Sequence, residues 1–486
     1  MKPATHIMGT RKPCRIIVIR ALLWVGSLAF YAAGLAQTPD PALNALVKKG
    51  FLTEKEAKDA WTESQSNLVN EAQMRMDESK WKISDAIKSI NLFGDLRFRY
   101  EYRGAANTPG SGASGDTYYR ERFRYALRIG IRGDLFDDFY YGLRVETSSN
   151  PRSPWVTFGD DTNPTPSAKN SDGIAVGQAY LGWRPNNWFE ITVGRMPQPL
   201  YVTPMIWDTD INPEGFAEKF KYSVGNVDLF ATLGQFDYQN VNPANSAVTS
   251  DPFLLAWQLG ANFKLPKDTS FKIAPVLYTY TGAGQSSGLG QPFSGQGILG
   301  LNPNTVGFNQ NGINDLLILE VPAEFNFNVG RYKSRVFGDF AYNFSGDSRA
   351  RAAVSATAPG GNLPYAVLGQ NTAYQVGLAL GNLGLVYGQT SKKNTWEGRV
   401  YWQHVEQYAA DVNLLDSDFF EGRANLQGVY VAFAYSITGG IIGTARYGYA
   451  QPINNNLGTG GNNPDLPVLN PIKYYNLFQL DLTWRF

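Results

Sequence analysis

From residue 91 onward, apolar and polar side chains change places at every second position. In NLFGDLRFRYEY, Leu96, Phe98, Tyr100 and Tyr102 alternate with Asp95, Arg97, Arg99 and Glu101. In RERFRYALRIGIRG, Phe123, Tyr125, Leu127, Ile129 and Ile131 alternate with Arg122, Arg124, Ala126, Arg128, Gly130 and Arg132. Side chains on an extended strand point to opposite faces in turn, so each segment predicts a strand with one greasy face and one wet face. The rhythm recurs at SRVFGDFAYNFS, NTWEGRVYWQ, LQGVYVAFAYSI and IIGTARYGYA. It also closes the chain, where Phe478, Leu480, Leu482, Trp484 and Phe486 alternate with Gln479, Asp481, Thr483 and Arg485. VDLFATLGQF and FKIAPVLYTY alternate poorly, and the pattern assigns no faces to them.

The connections alternate too. Long segments rich in Gly, Asn, Ser and Pro span 104–117, 148–172, 197–213, 239–252, 282–313, 346–370, 407–423 and 451–471. Short turns lie between them near residues 133, 184, 224, 265, 330, 391 and 438. Eight long and seven short connections imply about 16 strands, with short turns on one side of a membrane and long loops on the other. The predicted fold is all-β, a transmembrane antiparallel barrel over 91–486. Lipid outside and water inside use both faces of such strands, and closure pairs every backbone donor. Tyr118, Tyr119, Trp183, Trp188, Trp396 and Trp484 near strand ends suit interfacial girdles. A soluble sandwich, the competing reading, would have to set four or more arginines side by side on one sheet face.

The first 90 residues read differently. Lys2, Arg11, Lys12, Arg15 and Arg20 precede and enter an apolar stretch from about Ile16 to Leu35, and Gly34-Leu35-Ala36 supplies small residues, which predicts an export signal over 1–36. A retained membrane anchor is the alternative. Residues 37–90 predict a periplasmic helical segment. Thr53-Glu54-Lys55-Glu56 fits a capping box, and Ala57, Trp61, Leu68, Ala72 and Met76 follow at helical spacing. This helix either packs locally or pairs with other copies as a coiled coil.

Composition narrows the chemistry. Aromatic residues make up 14% of 486 residues, with 50 Gly, and the formal charge of +1 disfavours nucleic acid as a partner. Cys14 is the single cysteine and leaves with the signal, as does His6. His404 is then the one imidazole, on the parity of Trp396, Val400 and Trp402, so neither a Cys/His zinc site nor a hydrolytic triad is expected. Asp160–Asp161 and Asp416–Asp418 lack calcium-ligand spacing. No enzyme activity, metal or cofactor is predicted.

The stretch Val176 to Phe220 runs from an AYLGW phrase through a GRM phrase into a Pro- and Asp-bearing loop. With Leu414 to Phe419, Val429 to Tyr435, and an early helix before NLFGDLRFRYEY, it resembles the general and putative porin family of Gram-negative outer membranes. That resemblance implies an outer-membrane location and a homotrimer. Tyr474 to Phe486 is similar to the terminal strand that the barrel-assembly machinery recognises, which singles out Trp484 and Phe486.

Sixteen strands leave room for an aqueous channel. Alternation places Arg97, Arg99, Arg103, Arg120, Arg122, Arg124, Arg128, Arg132 and Arg144 on the inner wall, beside Asp95, Glu101 and Glu146. Such a wall attracts anions, or its arginines brace the barrel by pairing with lumen carboxylates; Glu190, Glu320, Glu324, Asp339 and Glu397 are further candidates. The loop Pro197 to Pro213, with Trp207, Asp208, Asp210 and Glu214 just beyond, either narrows the pore or forms a solvated cap. The expected function is passive diffusion of small hydrophilic solutes and ions with some anion preference. A substrate-selective anion channel, for phosphate for example, and a plugged structural or adhesive barrel remain open.

Overall fold

A computed structural model describes residues 40–64, 86–107, 117–148, 153–159, 172–238, 253–281, 316–348, 350, 368–455, 457–459, 466 and 472–486. The export signal and Leu68, Ala72 and Met76 fall outside the described residues. In the N-terminal unit, helix α1 (Pro41–Lys48) is capped by Asp40, whose carboxylate accepts from the Ala42 N–H at 2.7 Å. Pro41 sits in the first turn, where a missing N–H leaves no bond unmade. The capping box closes: the Thr53 N–H donates to Glu56 at 2.8 Å, the Glu56 N–H donates to Thr53 Oγ1 at 3.2 Å, and residues 54–64 follow as helix.

The second unit is a closed antiparallel barrel of sixteen strands. They are β1 (Asn91–Asn107), β2 (Thr117–Asp134), β3 (Phe139–Ser148), β4 (Gly173–Trp183), β5 (Phe189–Arg195), β6 (Glu214–Val224), β7 (Val227–Asp237) and β8 (Phe253–Leu265). Next come β9 (Thr269–Ile273 and Val276–Tyr280), β10 (Leu317–Glu320 and Ala323–Val329), β11 (Tyr332–Asn343) and β12 (Thr372–Gly381). The last four are β13 (Thr395–Val405), β14 (Leu426–Ser436), β15 (Ile441–Pro452) and β16 (Ile472–Arg485). Each pairs with the next, and β16 returns to β1 from Asp95↔Arg485 to Asn107↔Ile472. The breaks within β9 and β10 arise at Pro275 and Pro322, which lack the N–H that a ladder needs. Register runs through them unchanged, with Ile273↔Ala323 on one side and Val276↔Glu320 on the other. A two-residue strand, Val156–Thr157, takes the place of β3 beside Arg124 and Tyr125 of β2.

Faces follow parity. Phe98, Phe123, Ile129, Val193, Leu233, Trp257, Val376, Val431, Leu480 and Trp484 stand exposed on the outer wall, while Arg99, Glu101, Arg122, Gln258, Glu320, Gln375, Glu397 and Gln479 are buried inside. The β12–β13 connection departs from the sequence reading. Periodicity places only a short turn near residue 391, whereas the connection spans residues 382–394 and folds back into the barrel, burying Leu385 and Val386. Positive φ at Gly381, Gly384 and Gly388 lets the backbone make that reversal.

Val431 lies midway along β14 on the outer face. Val431→Arg is expected to cost about 2–4 kcal/mol, the range for a cation near the bilayer midplane. Guanidinium unfolding in phospholipid vesicles measures it; an unchanged midpoint would remove that face from the lipid.

Candidate functional site: the barrel lumen

The basic wall of β1 and β2 is built around one carboxylate. Glu101 is 0% exposed and lies 3.1 Å from Arg103, 3.6 Å from Arg124 and 3.7 Å from Arg99. It also accepts from Arg122 Nε at 2.7 Å. Register explains the cluster, since Glu101 faces Arg122 across the ladder and Arg99 faces Arg124 one inward position away. A buried ionised carboxylate is tolerable only with this kind of company. Asp95 repeats the device with Arg97 at 2.6 Å and Arg128 at 3.1 Å, and Glu146 holds Arg144 at 2.8 Å. Arg132 is exposed and lies over the Phe93 ring at 4.9 Å, while Arg120 is half-buried opposite Arg103.

Two long loops enter the lumen and answer the remaining arginines. Residues 196–213 follow β5, and residues 406–425 follow β13. Asp418 meets Arg99 at 2.7 Å, opposite Asp481 of β16, also at 2.7 Å. Glu421 lies 3.5 Å from Arg103 and 3.1 Å from Arg423, and Asp210 lies 3.3 Å from Arg128. Trp155 packs under the Arg99 guanidinium at 4.0 Å.

The loops are also tied to each other and to the far wall. Asp208 accepts from the Ser417 N–H and hydroxyl at 3.1 and 2.9 Å, and its own N–H donates to the Leu414 carbonyl at 2.6 Å. Gln258 grips both peptide groups of Tyr201, accepting from the N–H at 2.8 Å and donating to the carbonyl at 2.7 Å. Thr203 is held by Glu320 and Asp339, so these two carboxylates anchor a loop rather than pair with arginine. Trp207 wedges against Phe236 and Tyr278, with ring centroids 6.0 and 6.4 Å away. Burial, then the charge of Asp210, pushes Asp208 up to about 7. Burial also raises Asp416, aided by the charge of Asp208. Burial alone would raise Asp418 too, but Arg99, Arg446 and Arg103 hold it below the usual carboxylate range.

Sequence-predicted residues thus separate into groups. Arg97, Arg99, Arg103, Arg122, Arg124, Arg128, Arg144, Asp208 and Asp210 gather in the lumen. Glu214 opens β6 on the face of Phe216, paired with Arg195. Trp484 and Phe486 lie 5.1 Å apart on the outer face, where the Phe486 N–H donates to the Gly94 carbonyl at 3.1 Å. Glu190, Glu324 and Glu397 take Arg184, Arg335 and Arg399 respectively. Sequence reasoning missed Asp418, Glu421, Arg423 and Trp155 as lumen residues because their segments read as long solvent loops, and Tyr387 because the turn reads as confined to residues near 391. Parity already set Asp481 on the wet face, which was the one available signal.

Between the loops and the 382–394 turn lies a chamber of about 410 Å3. Arg97, Arg99, Arg128, Arg335, Arg399, Arg446 and Arg485 line it, against Asp210, Glu324, Asp416, Asp418 and Asp481.

Two consequences are measurable. Glu101→Gln leaves four arginines around a neutral amide and is expected to lose about 3–5 kcal/mol, read as a lower denaturant midpoint. Asp208 binds its proton more tightly in the docked loop than free, because its value lies above the ordinary 3.8. Docking is therefore fully supported below the ordinary value of 3.8 and loses that support as pH rises from there through about 7. Single-channel current is expected to be steady at acid pH and to fluctuate above neutrality, and Asp208→Asn is expected to stay steady throughout.

No curated protein matches the chain. Among solved structures, a Rhodopseudomonas blastica porin triple mutant is 12% identical, with 82% of this chain and 100% of that chain covered and a TM-score of 0.38. A loop-deletion form of OmpT, an outer membrane protein of Vibrio cholerae, is also 12% identical, with 82% and 99% covered and a TM-score of 0.38. The family described as "Putative porin" matches residues 106–327 and 313–486, nearly the whole barrel. The chain belongs to that family.

Proposed function

We propose that the protein is an outer-membrane channel for passive diffusion of small hydrophilic solutes and ions, with a preference for anions. The observation that carries the preference is the chamber wall, where seven arginines stand against five carboxylates. Rings of Arg or Lys lower the entry barrier for anions. Most of these guanidinium groups are ion-paired, so the preference is modest rather than absolute. Asp210 and Asp418 on the loops neutralise arginines of β1 and β2 by direct contact, which leaves the net excess of guanidinium groups on the chamber wall to act on a passing ion.

The apolar outer wall supports residence in lipid, and the basic, apolar and small-residue run over residues 1–36 supports export through a cleaved signal. The helices at Pro41–Lys48 and 54–64 support the reading of a helical segment between the signal and the barrel, and closed cyclic symmetry as a homotrimer suits a barrel of this class.

Zero-current potential in planar bilayers across a KCl gradient tests the reading. Chloride is expected to be the more permeant ion, and proteoliposomes are expected to swell in small sugars. Potassium preference would overturn the selectivity, and absent swelling would favour a plugged barrel.

A further inference from the structure

The turn over residues 382–394 does more than connect two strands. Its Val386 peptide is gripped on both sides by charged groups of the inner wall. The N–H donates to Glu397 Oε2 at 2.9 Å, and the carbonyl accepts from Arg446 Nη2 at 3.2 Å. Leu385 and Val386 are 0% and 2% exposed, so the turn is seated as firmly as a strand. This seating sets the Tyr387 ring 4.6 Å from the Arg399 guanidinium, which also lies 4.8 Å from the Phe337 ring.

Glu397 Oε1 takes Nε and Nη2 of Arg399 at 3.2 and 3.0 Å, so one side of the guanidinium is spoken for. Its Nη1 makes no hydrogen bond among the described residues, and Arg485 on the same chamber wall makes no ion pair among them. Tyr387 is 38% exposed, whereas Phe337, Tyr401 and Tyr430 are each 8% or less. Arg399 is only 7% exposed and its guanidinium lies over one face of Tyr387, so the groups that border the chamber are its Nη1 edge, the other face of Tyr387 and Arg485.

Resting on the channel reading above, we propose that this corner of the chamber is a binding site for a small aromatic carboxylate. The planar guanidinium matches a carboxylate, and the Tyr387 ring offers a stacking face for the body that carries it. The chamber's 410 Å3 falls inside the range of about 300–1,000 Å3 typical of small-molecule sites. Asp418 and Asp481 line the same chamber and disfavour a dianion such as phosphate more than a monoanion.

The test is chloride current through the full-length protein in planar bilayers, titrated with benzoate, acetate or inorganic phosphate. Benzoate is expected to block saturably, with acetate and phosphate about tenfold weaker or more. Tyr387→Ala, Arg399→Gln and Arg399→Lys, which keeps charge but loses the fork, are each expected to raise the half-blocking benzoate concentration about tenfold. The three-anion comparison needs no variant, so it stands even where a substitution prevents folding. Block that fails to saturate, phosphate as potent as benzoate, or variants blocked as well as the parent would each overturn the site. A conducting but unblocked parent overturns this site alone; a silent parent overturns the channel reading with it.

Discussion

Buried guanidinium groups must be neutralised where they stand, and the interior of this barrel is arranged around that constraint. Arg99, Arg103, Arg122 and Arg128 on two adjacent strands are almost wholly removed from solvent. Stripping such ions of water costs several kcal/mol apiece unless partners are supplied at contact distance. The sheet itself supplies Asp95, Glu101 and Asp481, which is too few. The balance comes from Asp210, Asp418 and Glu421, carried into the lumen on two loops. The basic wall therefore dictates where those loops rest as much as the loops dictate the shape of the passage.

Charge holds only one end of the bridge. Across the lumen, the inner faces of β7, β8 and β9 present Phe236, Leu254, Ala256, Val276 and Tyr278, and the 196–213 loop packs Leu200, Met205, Ile206 and Trp207 into the same apolar cluster. Gln258 then treats Tyr201 as a neighbouring strand would, satisfying both of its peptide groups. An ionic contact on one side and an apolar one on the other make the crosspiece rigid, and the space left beneath it is the chamber.

The same division explains what the sequence could and could not reveal. Strand number, closure and parity were legible because lipid outside and water inside impose strict alternation, as in β1, β2, β14 and β16. VDLFATLGQF and FKIAPVLYTY resist assignment because Phe236, Val276 and Tyr278 point inward against a loop, so both faces are apolar there. Periodicity reports the solvent on each face, and there the inner solvent is protein. The arginine cluster was visible as a face but not as a network, since Asp418 and Glu421 lie more than 300 residues away from Arg99 and Arg103 in sequence. The 382–394 turn reads in sequence as a short turn near residue 391, because Leu385, Val386 and Tyr387 carry no alternation that would mark them as lumen residues.

Neutralisation also bears on how such a channel discriminates. An arginine held by two carboxylates, as Arg99 is, projects little field beyond its own contacts. Outside the barrel, salt screens charge over about 8 Å at physiological ionic strength, so long-range steering from the deep lumen is weak. Discrimination then falls to groups with spare donors at the chamber wall, Arg399 and Arg485 among them, acting on a solute already inside. Conduction needs attraction strong enough to admit a solute and weak enough to release it. A wall whose positive charge is mostly spent on its own carboxylates meets both demands better than a bare ring of arginines.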